Sequence, residues 1–502
     1  MEAGTRLAEV LDPLFLPYSE QELSAHFVDS GAEHVAKWRK RLADARLKQP
    51  ADPAFLHRDE TLWTASALLA VHKHADRAAR WEDVLRRAFG DRPPLSTRTT
   101  WAEFLSGDLE LYFEVGLRSP DSYRRWLRDH LHERHPLVEQ VELGRTRGSG
   151  LEGHTKLDAL LLNVSGGHAV HFEAKVLSDI APRTTFDALR NQLARNLDAL
   201  NVTPHGGGVL ARRDPERSLL CLMTPGLLRR HRRSRLYGHL YDEYREHPER
   251  LAEDLPHLDP PTAKRLSRSL GWLTFEDVAR TDPSACLWLA DDDDPVGQAT
   301  VAAARRLEDA CDRGERVRER QLQEALAAEL PRAEIEQRVP VPDWDPQPGA
   351  TDVVTRDPAG GVVQVIETKL KATNDIYECL WDLAKVVSFS ERQVGAYLVV
   401  GTTQNGWRRH ATRELFGSGR HALVETIRAH LDWWDKYILG DSTGRPLRVP
   451  AQIDVRVLTR VPLRLSEDEW ELRAIRVHGR GPHIAFHAGR PDGAPPRLAQ
   501  AP

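Results

Sequence analysis

Two stretches of this sequence decide its fold: His168-Ala-Val-His-Phe-Glu-Ala-Lys-Val176 and Val362-Val-Gln-Val-Ile-Glu-Thr-Lys-Leu370. Both have the short, apolar and β-branched character of buried strands. Each nevertheless carries a glutamate and a lysine two residues apart, and such side chains lie on the same face of a strand. Because unpaired charges are costly inside an apolar strand, the pattern indicates a functional role for them.

Each stretch is preceded by a second apolar segment with an aspartate at or near its start. Leu157–Val164 leads into the first stretch across Ser165-Gly166-Gly167, and Thr351–Thr355 leads into the second across Ala359-Gly360-Gly361. Glycine-containing connections of this kind are typical of β-hairpins. At one constant offset the polar residues of the first copy recur in the second, with Asp158, Glu173 and Lys175 matching Asp352, Glu367 and Lys369. A hairpin lets the aspartate, the glutamate and the lysine of each copy converge on one point.

The elements around the two stretches repeat in the order α-β-β-β-α-β. In the first copy we predict a helix over 122–133, strands over 137–143, 157–164 and 168–176, a helix over 185–200 and a strand over 218–223. In the second we predict a helix over 317–330, strands over 335–341, 351–355 and 362–370, a helix over 376–388 and a strand over 394–400. A repeated order with registered polar residues indicates two tandem copies of one α/β domain.

The remaining segments complete the domain organisation. We predict a helical N-terminal region over 1–95, a first domain over 96–290, a second domain over 296–488 and a disordered tail over 489–502, which is dense in Pro and Gly. The acidic run Ala290-Asp-Asp-Asp-Asp-Pro295 is the expected linker between the two domains.

Composition excludes several classes of protein. With 502 residues, 40% hydrophobic and 29% charged, the chain has the profile of an ordinary multidomain globular protein. Its apolar runs are too short for a membrane span, and its start lacks the apolar core of a signal peptide. The four cysteines are far apart, so we expect neither a zinc site nor disulfides, and a cytoplasmic location. A net charge of −5 means that any nucleic acid would bind through local basic patches.

Lysine is rare in this chain, with 11 residues against 59 arginines. A lysine in an apolar strand therefore calls for a reason, and its compact, tunable ammonium is one that arginine cannot match. Two carboxylates beside an ammonium suit phosphodiester hydrolysis. Carboxylate oxygens bind Mg²⁺ (or Mn²⁺), the metal activates water, and the ammonium orients that water and stabilises the transition state. The opposing interpretation of a single Glu-x-Lys is a solvated strand face, but a second match at the same spacing weakens it.

Asp158…Glu173-Ala-Lys175 and Asp352…Glu367-Thr-Lys369 resemble the motif of the PD-(D/E)XK nuclease superfamily. The resemblance covers about 120–230 and 315–402, with Leu157 and Thr351 standing where the motif has proline. It implies two restriction-endonuclease-like αβββαβ domains with mixed central sheets, which use Mg²⁺ and act on DNA. The aspartates and glutamates would be metal ligands, and Lys175 and Lys369 would be catalytic.

Members of this superfamily often add an acid from the first helix and a polar residue from the helix after the motif. By this resemblance Glu324 would be the acid in the second copy, and Asp129 or Glu133 the acid in the first. Gln192 would be the supporting polar residue, with a solvated helix face as the alternative. The expected DNA-binding residues are the arginines after each closing strand: Arg229, Arg230, Arg232, Arg233, Arg408 and Arg409. Surface exposure alone is the alternative for these.

The resulting hypothesis is a Mg²⁺-dependent endonuclease that cleaves DNA, with anti-phage or other foreign-DNA defence suggested by analogy of fold alone. One alternative is a nucleic-acid-binding scaffold in which one or both domains are inactive. Another is a nuclease for RNA or branched substrates. The sequence leaves protein partners unspecified and homo-oligomerisation open.

Overall fold

The computed structural model describes residues 18–28, 31–47, 58–135, 152, 155–184, 187–202, 209–282, 284–289, 294–341, 350–371, 376–390, 394–408, 415–429, 447–465, 468–486 and 498–500. The chain divides into two compact units between Cys286 and Leu287. Each unit is an α/β fold built on a mixed sheet, and the helices before residue 95 belong to the first unit. Within the described ranges, no helix is long and apolar enough to cross a membrane.

The first unit places five strands among many short helices. Its strands are β1 (Leu109–Leu117), β2 (Thr155–Asn163), β3 (His168–Ala174), β4 (Ser218–Thr224) and β5 (Leu270–Thr274). Its α-helices are α1 (Glu20–Ser24), α2 (Gly31–Leu47), α3 (Glu60–His72), α4 (Arg77–Phe89), α5 (Trp101–Phe104), α6 (Asp121–Asp129), α7 (Gln192–Ala199), α8 (Gly226–Arg230), α9 (Leu236–Glu246), α10 (Pro248–Asp254), α11 (Pro260–Arg268) and α12 (Phe275–Thr281).

The sheet of the first unit has the order β1-β2-β3-β4-β5. The pairs β1–β2 and β2–β3 are antiparallel, whereas β3–β4 and β4–β5 are parallel. Helix α3 packs against β1, β2 and β3 and is buried almost all round, as expected of a helix that is apolar on every face. Its N-cap, Asp59, accepts a hydrogen bond from the backbone N–H of Leu62 at 3.1 Å. The helix therefore begins at a defined residue, Glu60, close to the carboxyl end of β3.

The second unit carries a wider sheet. Its strands are β6 (Ala333–Gln337), β7 (Thr351–Arg356), β8 (Val362–Leu370), β9 (Gly395–Thr403), β10 (Gly419–His421), β11 (Leu447–Leu465), β12 (Asp468–Phe486) and β13 (Leu498–Gln500). Its helices are α13 (Pro295–Asp312), α14 (Glu319–Glu329), α15 (Ile376–Ser390), α16 (Gln404–Arg408) and α17 (Leu423–Arg428). The strand order is β10-β11-β12-β9-β8-β7-β6, and β13 pairs with β12.

Pairing in the second sheet repeats that of the first for four strands. The pairs β6–β7 and β7–β8 are antiparallel and β8–β9 is parallel. Alternate residues of β8 face two apolar cores: Ile366 packs in the core with α13 and α14, and Val365 packs in the core with α15. Since Glu367 and Lys369 alternate with Ile366, they share the α15 face of the strand with Val365.

The structure differs from the predicted elements in several places. Strand β1 was not predicted, although its apolar residues alternate, and it precedes α6, so the order α-β-β-β-α-β holds in the first unit only with a helix between β1 and β2. The predicted strand over 137–143 lies outside the described residues. The predicted helix over 185–200 begins only at Gln192, because Asn191 is extended and caps the helix by accepting the backbone N–H of Ala194 at 2.9 Å. In the tail predicted to be disordered, Leu498–Gln500 forms strand β13 on the edge of β12.

Candidate active sites

The first site is built on a cross-strand pair of acids. Ala159 of β2 is opposite Phe172 of β3 in the antiparallel register, so the next pair toward the strand end is Asp158 and Glu173. Directly opposed side chains in such a pair have Cβ atoms about 5 Å apart. The Asp158 carboxylate also accepts the backbone N–H of Ala174 at 2.6 Å, which fixes it against the edge of β3.

Glu173 is buried, and both of its carboxylate oxygens have polar partners. Its Oε1 accepts from Nε2 of Gln192 at 2.7 Å and lies 2.8 Å from Nζ of Lys175, and its Oε2 accepts from Nδ2 of Asn196 at 2.8 Å. Both amides lie on α7, one turn apart on the face toward β3. The predicted supporting residue Gln192 is therefore brought to the site, together with Asn196. Helix α7 holds this carboxylate in one orientation.

A third acid comes from the first residue of α3. Glu60 Oε1 accepts the backbone N–H of Val176 at 3.1 Å, and Glu60 Oε2 lies 3.6 Å from Nζ of Lys175. The suggested candidates Asp129 and Glu133 do not join this cluster, since both are exposed on α6 and on the turn after it. Glu60 thus occupies the place for which they were considered.

Burial and mutual repulsion perturb these groups. Burial and the negative charge of Glu173 raise the pKa of Asp158 well above its usual value, and burial raises the pKa of Glu173. Burial opposes the charged form of Lys175, but Glu173, Asp158 and Glu60 outweigh it, so the pKa of Lys175 is raised. The lysine is therefore a fixed cation, and the two acids are held at an unfavourable separation that a bound cation would relieve.

The second site repeats the acid pair in the same register. Val353 of β7 is opposite Ile366 of β8, which places Asp352 opposite Glu367. The Asp352 carboxylate accepts the backbone N–H of Thr368 at 2.7 Å and its hydroxyl at 2.8 Å. The residue between the motif glutamate and lysine thus donates its N–H to the aspartate in both units.

A first-helix acid is also repeated. Glu319, the first residue of α14, has Oε1 at 3.5 Å from Nζ of Lys369 and accepts the backbone N–H of Leu370 at 3.4 Å. Like Glu60, it is the first residue of its helix, it lies beside the motif lysine, and it accepts the backbone N–H of the residue after that lysine. The predicted residue Glu324 is instead exposed on α14 and pairs with Arg320 at 3.0 Å. The structure therefore brings Glu319, rather than Glu324, to this site.

The helix after the motif is where the two sites differ. In α15, Asp382 and Lys385 are buried beside the motif residues: Lys385 Nζ lies 2.6 Å from Oε1 of Glu367, and Asp382 Oδ2 lies 3.2 Å from Nζ of Lys369. Burial and the Asp352 charge raise the pKa of Glu367 to about 8, and burial raises the pKa of Asp382 to about 6. Acids are thus crowded in this site too, with two lysines among them.

The donors fit a hard divalent cation. Mg²⁺ prefers oxygen ligands, is bound by one or two carboxylates and keeps several waters. Each site offers such a pair, Asp158 with Glu173 and Asp352 with Glu367, and in both the pair is crowded enough to raise a carboxyl pKa. Among the described residues, no group of three or more His, Cys, Asp or Glu side chains is arranged as a metal cage. A water-rich two-carboxylate site is the kind of metal site that these residues can form.

Two of the predicted DNA-binding arginines pair with acidic side chains, and four of the six lie in one short segment after β4. Arg229 pairs with Asp277 at 3.0 Å, and Arg232 pairs with Asp242 at 2.7 Å and stacks on Trp272. Arg230 and Arg233 are exposed. The backbone of Arg408 ends α16, and its side chain, like the whole of Arg409, lies outside the described residues.

Comparison with known proteins identified no relative of this chain. No family model, no curated protein and no solved structure matches the chain. The duplicated geometry of the chain itself is therefore the basis for assigning a function.

Four residues of these sites had no predicted role: Glu60, Glu319, Asp382 and Lys385. A weak signal existed for the first two, since each is an acid at the first position of a helix, a place where acids are common for reasons of helix stability alone. For Lys385 the signal was its rarity, because it is one of the few lysines in an arginine-rich chain.

Proposed function

We propose that this protein is a Mg²⁺-dependent endonuclease that hydrolyses phosphodiester bonds of DNA, with a restriction-endonuclease-like domain in each unit. One observation carries the proposal: in both units an Asp lies opposite a Glu across a hairpin, with a lysine two residues beyond the Glu. Two such placements in one chain are hard to explain as surface charge, because these glutamates are buried.

The residues take the following roles in the first site. Asp158 and Glu173 would hold the metal, which when bound supplies charge neutralisation and a more acidic water. Gln192 and Asn196 orient Glu173 by donating to both of its oxygens. Lys175 donates hydrogen bonds toward the attacking water and the phosphate oxygens, and Glu60 positions the Lys175 ammonium.

Exposed arginines supply the contact with the nucleic acid backbone. Arg230 and Arg233 lie on the segment after β4, the strand that is parallel to the motif strand β3. Contacts of this kind to phosphates carry no sequence information. A role in defence against foreign DNA is an extension of this proposal by analogy of fold.

Cleavage assays test the proposal directly. The full chain is incubated with plasmid DNA, single-stranded DNA and RNA in Mg²⁺ or in EDTA. The variants are Glu173→Gln, Glu367→Gln and their combination, with Glu324→Gln on the exposed face of α14 as a matched control. We expect Mg²⁺-dependent cleavage of DNA, lost in the combined variant and kept in the control. Cleavage by the combined variant at the wild-type rate would remove the proposed mechanism, and preferential cleavage of RNA would change the substrate.

The pairing of both glutamates with lysines favours one second candidate, a nucleic-acid-binding scaffold without turnover. Glu173 and Glu367 have lysine partners at 2.8 and 2.6 Å, so their charges are already balanced. A scaffold would bind DNA equally in Mg²⁺ and EDTA and would cleave none of the substrates above.

A further inference from the structure

The two units assign different lysines to the motif glutamate. In the first unit Lys175, from the motif itself, lies 2.8 Å from Glu173. In the second unit Lys385, from helix α15, lies 2.6 Å from Glu367. Among the described residues, the motif lysine Lys369 pairs with Asp382 at 3.2 Å and with Glu319 at 3.5 Å instead. The lysine partner of the glutamate has therefore moved from the strand to the helix.

The side chains of the two helices explain this exchange. Helix α7 sends two neutral amides, Gln192 and Asn196, to Glu173, and these leave Lys175 free to approach the same carboxylate. Helix α15 instead places one acid, Asp382, and one base, Lys385, beside the motif residues of the second unit. In a buried site each charge is most stable beside an opposite charge, so Asp382 attracts Lys369 and Lys385 takes Glu367.

A further contact fixes Lys385 between the two acid-bearing strands. Its Nζ donates to the carbonyl oxygen of Ala350 at 2.7 Å, two residues before Asp352, while it contacts Glu367 on β8. The Lys385 side chain is only 4% exposed, compared with 16% for Lys369. The ammonium of Lys385 is thus the more buried of the two, and it is the one in contact with Glu367.

We propose that Lys385 performs in the second site the task of Lys175 in the first, and that Lys369 is a structural partner of Asp382 and Glu319. Lys385 would then donate hydrogen bonds toward the attacking water and the phosphate oxygens, beside the metal that Asp352 and Glu367 would hold. This inference rests on the proposed nuclease function, and it makes the second site a helix-lysine version of the first. A purely structural Lys385 would instead affect folding without selectively affecting the site.

The test isolates the second site in the full-length chain by the background substitution Lys175→Met. In that background Lys385→Met, Lys369→Met and the exposed control Lys264→Met are compared for plasmid cleavage in Mg²⁺. We expect Lys385→Met to lower the cleavage rate about 100-fold, the scale of losing one electrostatic donor, and Lys369→Met to lower it less than about 10-fold. The reverse ranking would overturn the inference.

Calorimetric Mg²⁺ binding at pH 8.5 gives a readout independent of cleavage. Removing the ammonium beside Glu367 changes the charge next to the acid pair, so Lys385→Met should change the Mg²⁺ affinity of the second site about tenfold. Lys369→Met should change this affinity less than about twofold. A loss of folding alone would weaken binding in both variants, and that result would also overturn the inference.

Failure of the proposed function gives a different pattern. If the unsubstituted protein neither cleaves nucleic acid nor binds Mg²⁺, and Asp158→Asn and Asp352→Asn leave the calorimetric trace unchanged, the nuclease proposal itself is wrong. Cleavage and Mg²⁺ binding that depend on Lys369 rather than Lys385 would leave the nuclease proposal intact and remove only the exchange of lysines.

Discussion

Replacing Arg190 by Met should destabilise the first unit by about 3–5 kcal/mol, the range for removing one partner from a buried ion pair. Arg190 is fully buried just before α7, with Asp198 at 2.5 Å and Glu152 at 3.4 Å, and it stacks on the ring of Tyr123 at 3.6 Å. Without Arg190, the almost completely buried carboxylates of Asp198 and Glu152 would each lose a cationic partner. The expected loss in the free energy of unfolding is therefore large.

Two features of the structure decide where in the range of about 3–5 kcal/mol the destabilisation by Arg190→Met should lie. Asp198 keeps His257 at 3.0 Å and Glu152 keeps Arg195 at 2.8 Å, so neither acid loses every partner, which favours the lower end. Lost stacking of the Arg190 guanidinium on Tyr123, worth up to about 2 kcal/mol, favours the upper end. Burial raises the pKa of Glu152, so this carboxyl can also take up a proton. The variant should therefore recover part of its deficit as the pH falls from 8 to 5, because its folded state then binds more protons than the unfolded state.

Urea unfolding followed by hydrogen exchange in peptides of the first unit measures this loss separately from the second unit. Arg212→Met is the matched control, because Arg212 pairs with Glu110 on an exposed surface and should cost at most about 1 kcal/mol. Since α7 carries Gln192 and Asn196, Arg190→Met should also slow cleavage by the first site. A stability loss equal to that of Arg212→Met would refute the argument that this network anchors the helix.

Three further outcomes follow from the same structure. Glu60→Gln should lower the cleavage rate of the first site about 10- to 100-fold, because Glu60 positions the Lys175 ammonium. Glu324→Gln, on an exposed helix face, should leave the cleavage rate of the second site unchanged. A plasmid assay that ranks the two variants in the opposite order would contradict the proposed role of Glu60. Replacing Arg230 and Arg233 by Ser should reduce the slope of log affinity against log salt by about 1 each, measured by DNA-binding titration, and an unchanged slope would exclude them from the interface. His171 is fully buried, and burial lowers its pKa well below the usual value. The unfolded chain therefore binds an extra proton below about pH 6.5, and the free energy of unfolding falls there by up to about 1.4 kcal/mol per pH unit. His171→Val, which copies Val365 of the second unit, should reduce this pH dependence in urea midpoints measured at pH 5 and 7, and an unchanged dependence would contradict the argument.

The hairpins with their acid pairs were the part of the structure that local sequence could predict. Alternating apolar residues, paired glycines and a constant offset fix which residues of neighbouring strands face each other, and the observed register places Asp158 and Asp352 opposite their glutamates. Strand β1 carries the same local signal in the alternation of Leu109, Leu111 and Phe113.

The other site residues depend on contacts between segments that are distant in sequence. Glu60 precedes its hairpin by a much longer stretch of chain than Glu319 does, so aligning the two copies at the motif offset cannot pair them. The choice between Lys369 and Lys385 is set by which buried acid each ammonium meets, and this depends on how α15 packs on β8. Spacing along the chain carries no information on that packing.

The two sheets differ on the outer side of the fourth strand that they share. β4 accepts the parallel strand β5 there, whereas the equivalent β9 accepts the long antiparallel ribbon of β11 and β12. Both additions leave the acid-bearing hairpin on the opposite side of the shared strand. Each sheet is therefore extended from the strand that lies beside the motif strand, and the acid-bearing hairpin keeps the same neighbours in both units.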